Sequence, residues 1–322
     1  MRAVMMRRHG GPEVLEIVDM PPPQPQPGQI IVEVAAAGVN FADIYQRRGT
    51  PPYGGELPAV PGMEGAGTVT AVGPGVRDVA EGDRVAWTGM PGSYAEQVPV
   101  PADRAVPVPE RIDLQLAAAV MLQGMTAHYL SHTTHPVAEG EPVVVHAAAG
   151  GVGRMLTQFV KLRGGVVIAT TSNDEKAELA RQAGADHTAR YAEVRDVVRK
   201  VTAGAGAVVV YDGVGRTTFD DGLLALRPRG LMVLYGTSSG PVPPLDTGRL
   251  AGGSLYLTRP SIAAHIARRE DLLWRSGDVF DGIAAGRLSA RIGGTYPLTD
   301  APRAHDDLEN RRSTGKLLLL PR

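Results

Sequence analysis

Apolar positions fall into two rhythms along the chain. From residue 1 to about residue 120 they come in short β-like runs, such as Ile30-Ile31-Val32-Glu33-Val34 and Gly67-Thr68-Val69-Thr70-Ala71-Val72. Turn formers punctuate them: Pro21-Pro22-Pro23, Pro51-Pro52, Pro61-Gly62 and Gly73-Pro74-Gly75. Brief strands between proline and glycine clusters predict a β-rich, barrel-like unit. An apolar stretch at 117–130 predicts a helix leading to a second domain.

From about residue 140 strands alternate with helical patterns. Predicted strands cover 141–146, 165–170, 207–212 and 230–235, with helices at 154–162 and 174–182. Strands apolar on both faces, alternating with helices, indicate a parallel sheet covered on both sides. The tail beyond 260 predicts a helix at 271–285 and a last strand at 316–320. No repeat with a period of about 20–50 residues is present.

Composition narrows this picture. A length of 322 residues suits two domains, and 43% hydrophobic residues suffice for a sizeable core. The formal net charge of −1 offers no electrostatic basis for nucleic acid or an acidic membrane as partner. No apolar run approaches the length of a membrane span, and the N-terminus lacks a signal-peptide pattern, so a cytoplasmic protein is expected. Cysteine is absent. That excludes disulfides, thiolate nucleophiles, iron–sulfur clusters and sulfur-ligated zinc.

The segment Ala147-Ala148-Ala149-Gly150-Gly151-Val152-Gly153 joins a predicted strand to a predicted helix. Against G-x-G-x-x-G, the three special positions are Ala148, Gly150 and Gly153. The first glycine has become alanine, while Gly150 still permits close approach of a pyrophosphate and Gly153 close helix–strand packing. The helix N-terminus offers free N–H groups and a partial positive charge. About 20 residues on, where an NAD site places an acid on the ribose, stands Thr170-Thr171-Ser172-Asn173, with Lys176 one turn later. Hydroxyls and a cation without a carboxylate favour a 2′-phosphate, hence NADP(H). Ser172 and Glu175 also fit a capping box, S-x-x-E, and the two readings are compatible.

His128, His132 and His135 form the one histidine cluster, with an i, i+4 pair suited to a metal. No H-E-x-x-H pattern accompanies them, so they read as surface or helix-terminus residues. A nucleophile elbow, G-x-S-x-G, is also absent, which argues against a serine hydrolase.

Taken together, His9-Gly10-Gly11-Pro12-Glu13-Val14-Leu15, Gly38-Val39-Asn40-Phe41-Ala42-Asp43-Ile44-Tyr45, Pro61-Gly62-Met63-Glu64-Gly65-Ala66-Gly67, Gly82-Asp83-Arg84-Val85, the run 146–153, Val210-Tyr211-Asp212-Gly213-Val214-Gly215, Gly253-Ser254-Leu255-Tyr256-Leu257-Thr258-Arg259-Pro260 and Gly315-Lys316 form an ordered set. Through it the chain resembles the zinc-free, zeta-crystallin-like quinone oxidoreductases of the medium-chain dehydrogenase/reductase superfamily, over essentially its whole length.

The resemblance implies an α/β protein: a GroES-like β-rich catalytic domain (1–122, completed by 261–322) and a Rossmann doubly wound parallel-sheet domain (123–260), with a cleft between them. It implies NADPH as hydride donor and a homodimer joined through Rossmann-sheet edges. Zinc-dependent relatives carry His after Pro61-Gly62; Met63 stands there, so no metal site is expected. By motif, Asn40 and Tyr45 fall near the nicotinamide, Thr126 beside the pyrophosphate, and Ala149, Gly150, Gly151, Val152 and Gly153 around it. Ser172, Lys176 and Tyr191 fall at the adenosine end. Gly213, Val214, Tyr235, Gly236, Thr237, Ser238, Ser239, Leu257, Thr258 and Arg259 fall along the nicotinamide half, with Lys316 reaching the cofactor. Thr237 stands where relatives commonly carry Asn.

Without zinc there is no Lewis acid to polarise a simple ketone. A quinone or activated enone needs less help, because its anionic product is delocalised, and hydride transfer then depends chiefly on placement. Asn40 and Tyr45 are the candidates for orienting cofactor and acceptor, with Tyr45 or Tyr53 relaying a proton to the oxyanion. NADPH-dependent quinone reduction is the leading expectation. Reduction of an enone or enal C=C bond is the alternative enzyme reading. An NADPH-binding regulatory or RNA-binding protein, using Arg268-Arg269 and Arg311-Arg312, is the alternative outside catalysis.

Overall fold

A computed structural model describes residues 1–321. The chain divides into two compact units. The first comprises Met1–Met125, Ile266–Gly286 and the chain from Ala290 onward; the second comprises Thr126–His265 and Arg287–Ser289. In chain order the strands are β1 (Arg2–Met5), β2 (Glu16–Asp19), β3 (Gln29–Val39), β4 (Glu64–Val72), β5 (Arg84–Thr88), β6 (Gln97–Pro101), β7 (Val106–Pro107) and β8 (Pro142–Val145). They continue as β9 (Val166–Thr171), β10 (His187–Arg190), β11 (Ala207–Asp212), β12 (Leu226–Leu234), β13 (Tyr256–Thr258), β14 (Ile292–Pro297) and β15 (Lys316–Leu320).

In the first unit β1 and β2 form an antiparallel pair, and a larger sheet runs β14-β15-β3-β4-β5-β7 with β6 also on β3. Register decides what this sheet can assemble. Antiparallel pairing sets Leu317 opposite Val39 and Gly65 opposite Ala37. The end of β3 and the first residues of β4 and β15 therefore converge, bringing Glu64 and Lys316 to the level of Asn40. Beneath them Met6, Ile30, Val32, Trp87, Tyr94, Val98 and Leu319 pack into one apolar core.

The second unit holds a six-stranded sheet in the order β10-β9-β8-β11-β12-β13, parallel throughout. Numbered from β8, this is the 3-2-1-4-5-6 order of dinucleotide-binding sheets, whose direction reverses between β8 and β11. The strands are valine-rich and buried on both faces, as a parallel sheet requires. Val144, Ile168, Val210 and Met232 pack against Phe219 and Leu223 of the helix Phe219–Ala225.

The helix Asp174–Gln182 and strands β11 and β15 have the predicted bounds. The helix after β8 begins at Gly151 rather than at 154, with Gly150 as its N-cap. Helical periodicity cannot register glycines that sit inside the first turn. The edge pairs β1–β2 and β5–β7 were not anticipated, because strands this short carry little alternation and exist through their partners.

The histidines were expected at the surface or a helix terminus; His128 does stand in the last turn of its helix, but it is fully buried and not at the surface. The helix Leu114–Tyr129 is apolar on all sides, with Ala117, Val120, Met121, Met125 and Ala127 buried, so its end is buried too. A π-helical segment, Leu130–Thr134, follows and stacks His132 on His128 with ring centroids 4.1 Å apart. His135 lies apart from them, its Nε2 2.8 Å from Glu141 Oε2. No helix among the described residues is long and apolar enough to cross a membrane.

Candidate active site

The loop after β8 lies at the switch point of the parallel sheet, where such sheets bind ligands. Ala147 takes a left-handed φ of 53° and turns the chain, so the tight turn is made one residue before Ala148. The Gly150 N–H donates to Ala147 O at 2.9 Å and closes the turn. A side chain at Gly153 would place a Cβ 2.7 Å from Ala148 Cα and nearer still to Ala147 O. Only glycine lets the helix Gly151–Leu162 start this close to β8, and that brings its free N–H groups to the mouth of the turn.

At the tip of β9 the cap is Asn173, not Ser172. The Asn173 side chain accepts the Lys176 N–H at 2.8 Å, while Ser172 is exposed. The S-x-x-E spacing misled because Asn173 stands one residue later with an equally competent acceptor. Ser172 is thereby left free of the capping role. The nearby Asp174 carboxylate accepts from Arg190 Nη2 at 2.7 Å. Tyr191 follows Arg190, its ring centroid 6.1 Å from that of His146.

The loops after β11 and β12 are laced together. Buried Asp212, which sequence reasoning passed over, accepts the N–H groups of Val214 at 2.7 Å and Gly215 at 3.0 Å, and its Oδ2 accepts Thr218 Oγ1–H at 2.8 Å. A Cβ on Gly213 would lie 2.8 Å from the Tyr235 ring, and one on Gly236 would lie 2.7 Å from Gly213 O. Val214 O accepts both the N–H and the hydroxyl of Ser239, each at 2.8 Å, and Gly213 O accepts the Ser238 N–H at 3.2 Å. Gly240 N–H donates to Thr237 O at 2.8 Å. Gly213, Val214, Tyr235, Gly236, Thr237, Ser238 and Ser239 therefore form one continuous rim. On the edge strand β13, Leu257 is exposed and Thr258 half-buried, and Arg259 just beyond it donates to Leu234 O at 3.3 Å.

The first unit contains a buried polar cluster at the converging strand ends. Asn40 donates from Nδ2 to Glu64 Oε1 at 2.7 Å and accepts from Lys316 Nζ at 2.6 Å. Lys316 also forms an ion pair with Glu64, and both are essentially fully buried. The second carboxylate oxygen of Glu64 accepts the Leu122 N–H at 2.6 Å. Lys316 is thus directed to Asn40 and Glu64 within its own unit. Asp43 accepts the Asn40 N–H at 2.8 Å and the Tyr94 hydroxyl at 3.0 Å. His305 lies 3.0 Å from the same hydroxyl and 3.2 Å from Arg47 Nη1. Burial drives the Asp43 carboxyl up to about 7 and the His305 imidazole down to about 3. Glu64, Asp43, Tyr94 and His305 escaped sequence reasoning as site residues: each reads alone as an ordinary polar residue, and only the tertiary packing of β4, the helices Phe41–Arg47 and Ala301–Glu309 and the loop before β6 gathers them.

Tyr45 and Tyr53 are brought together, with ring centroids 5.3 Å apart, and the Phe41 ring lies tilted against Tyr45 at 6.2 Å. Thr126 is buried in the helix Leu114–Tyr129. One arginine of each basic pair is engaged internally: Arg269 donates to Asp103 O at 2.6 Å, and Arg312 donates to Asp307 Oδ1 at 2.8 Å.

Two group chemistries can be tested against these residues. A dinucleotide fits: the Gly153 approach and the joined loops at the switch point leave N–H groups and hydroxyls where phosphates and riboses are held. Zinc does not fit. No cysteine exists, Met63 cannot replace a histidine ligand, Glu64 is committed to Lys316, and no group of three metal-binding side chains occurs among the described residues.

The alcohol dehydrogenase GroES-like domain matches residues 26–110 and the zinc-binding dehydrogenase domain residues 151–272. A quinone oxidoreductase of Pseudomonas aeruginosa is 42% identical, over 99% of both chains. A 2-haloacrylate reductase of a Burkholderia species is 39% identical over 99% of this chain and 98% of that protein. The solved structure of Escherichia coli quinone oxidoreductase complexed with NADPH superposes with a TM-score of 0.96, at 40% identity and covering all of both chains. Two-domain matches in the expected order and near-complete coverage at this identity have one reading: the chain belongs to the quinone oxidoreductase family of the medium-chain dehydrogenase/reductase superfamily.

Proposed function

We propose that this protein reduces quinones with NADPH and without zinc. The observation that carries the reading is a dinucleotide cradle at the switch point of the parallel sheet, and the lack of cysteine together with Met63 in place of a histidine supports chemistry without zinc. Ala149, Gly150, Gly151, Val152 and Gly153, with Thr126, hold the pyrophosphate. Ser172, Lys176 and Tyr191 hold the adenosine end, where no carboxylate ends β9 to repel a 2′-phosphate. The rim 213–214 and 235–239, with Leu257, Thr258 and Arg259, holds the nicotinamide half.

Bound NADPH supplies the hydride. Asn40, its amide held in place by Glu64 and Lys316, orients cofactor and acceptor. Tyr45 orients the acceptor, and Tyr45 or Tyr53 passes a proton to the reduced oxygen. A quinone suits a metal-free site because its reduced anion is delocalised and needs placement more than polarisation.

The first unit takes the catalytic role and the second the cofactor role. A cytoplasmic homodimer completes the proposal. Exposed Tyr256 and Leu257 on the sheet-edge strand β13 support pairing of two copies there. The 2-haloacrylate reductase relative favours a second reading, reduction of an activated C=C bond by the same residues. Turnover of a panel of quinones and enals with NADPH or NADH, scored by product identity, separates the two. Reduction of enals alone overturns the quinone reading, and equal use of NADH overturns the cofactor assignment.

A further inference from the structure

The hydrogen bonds around His305 can run in only one direction. Arg47 can only donate, so His305 Nδ1, 3.2 Å from Arg47 Nη1, is the accepting nitrogen. With the imidazole neutral, its proton sits on Nε2 and is donated to the Tyr94 oxygen at 3.0 Å. The Tyr94 hydroxyl must then donate to Asp43 Oδ2, also at 3.0 Å. That oxygen already accepts the Asn40 N–H at 2.8 Å. The chain Arg47 to His305 to Tyr94 thus ends on one carboxylate oxygen of Asp43, and every donor points at it. The other oxygen, Oδ1, is buried without a partner. Arg47 is anchored at its far end by Glu309 at 2.7 Å.

We propose that Asp43 is a positioning residue for the active site, held by this one-way chain so that its carboxylate fixes the Asn40 backbone and, with it, the placement of the residue that orients cofactor and acceptor. The inference rests on the role given to Asn40 in the proposed function. The groups facing Asp43 are Tyr94 and, through it, His305 of the helix Ala301–Glu309; Arg47 on its own helix, Phe41–Arg47; and, beyond Asn40, Glu64 of β4 and Lys316 of β15. Burial opposes the charged form while Lys316, the Asn40 N–H and the Tyr94 hydroxyl support it, which brings ionisation to about 7. The anion grips the Asn40 N–H more strongly than the acid does. Site geometry therefore tightens as pH rises through this value.

The test follows the Asn40 amide proton by NMR, NADPH affinity by fluorescence titration, and kcat/KM for NADPH-dependent reduction of 1,4-benzoquinone, each from about pH 5.5 to about pH 9. In the native chain all three share one midpoint near neutrality, and kcat/KM falls by up to about tenfold from about pH 8 to about pH 6. Asp43→Asn, which keeps shape but not charge, flattens the amide titration and removes that step. Tyr94→Phe removes a donor to the anion and moves the midpoint to higher pH. An Asp43→Asn variant with the native pH profile overturns the inference, as does an amide titration that neither affinity nor turnover follows. If the native chain reduces no quinone, the proposed function fails by itself. The amide and NADPH titrations then decide the inference: a shared midpoint lost in Asp43→Asn supports it, and a flat affinity overturns it.

Discussion

Asn40 and Lys316, 276 residues apart in the chain, meet in a 2.6 Å hydrogen bond that turns the lysine ammonium inward. The neighbouring Glu64 carboxylate makes the arrangement obligatory, since a buried acid without a counter-charge would be strongly unfavourable. Gly38 completes it. A Cβ at that position would lie 2.6 Å from Lys316 Cε and closer still to the carboxylate, so the glycine is the space in which the ion pair sits.

Lys316→Met leaves Glu64 buried and unpaired, and should destabilise the protein by about 3–5 kcal/mol. Combining it with Glu64→Gln should recover much of that loss, because both charges then leave together. Urea unfolding of the two single variants and the double variant gives the coupling directly. Strictly additive losses would mean that the pair is not energetically coupled.

Gly153→Ala forces the helix Gly151–Leu162 away from the loop after β8, since the new methyl meets backbone at 2.7 Å. Overpacking of this kind costs about 1–3 kcal/mol. NADPH affinity should fall by about tenfold or more, because the N–H groups at the helix start move with the backbone. Fluorescence titration measures this, and native affinity in a folded variant would contradict the assignment of the loop.

Lys176→Ala should weaken NADPH binding by about 1.5–3 kcal/mol, the range for hydrogen bonds to charged groups, and leave NADH binding nearly unchanged. Parallel titrations of both nucleotides supply the comparison. Equal losses for both would move Lys176 away from the 2′-phosphate.

Asp43 and His305 impose opposite pH dependences on stability. Burial raises the Asp43 carboxyl from 3.8 to about 7, so between these values the folded state holds a proton the unfolded chain has lost. Its contribution is fully present below about 4 and is lost as pH rises through about 7. Burial lowers His305 from 6.5 to about 3, so its contribution is present above 6.5 and is lost as pH falls through about 3. Each amounts to roughly 4–5 kcal/mol over its full range, and the two oppose each other in the window they share. Asp43→Asn should therefore make stability rise with pH between about 4 and about 6.5, and His305→Gln should make it fall there. Urea midpoints at several pH values test both signs.

Local chemistry already contained the architecture and pointed to one half of the candidate site. Valine runs such as β11, the glycines at 150 and 153, and the uncharged tip of β9 act through near neighbours, so a strand, a turn and a helix start can be read from a dozen consecutive residues. The missing cysteines and Met63 likewise argue against a sulfur-ligated zinc from residue identity alone. Competing signals of equal strength needed the structure: Ser172 and Asn173 are both good caps, and backbone geometry chose Asn173. The buried polar cluster was beyond reach for another reason. Asn40, Glu64 and Lys316 come from segments up to 276 residues apart and meet only when β3, β4 and β15 pair in one register, while Asp43, Tyr94 and His305 join them from the helix Phe41–Arg47, the loop before β6 and the helix Ala301–Glu309. Burial then turns ordinary acids and bases into a neutral imidazole, a carboxyl near neutrality and an inward-facing lysine, because desolvation is a property of the packed interior and not of any residue in it.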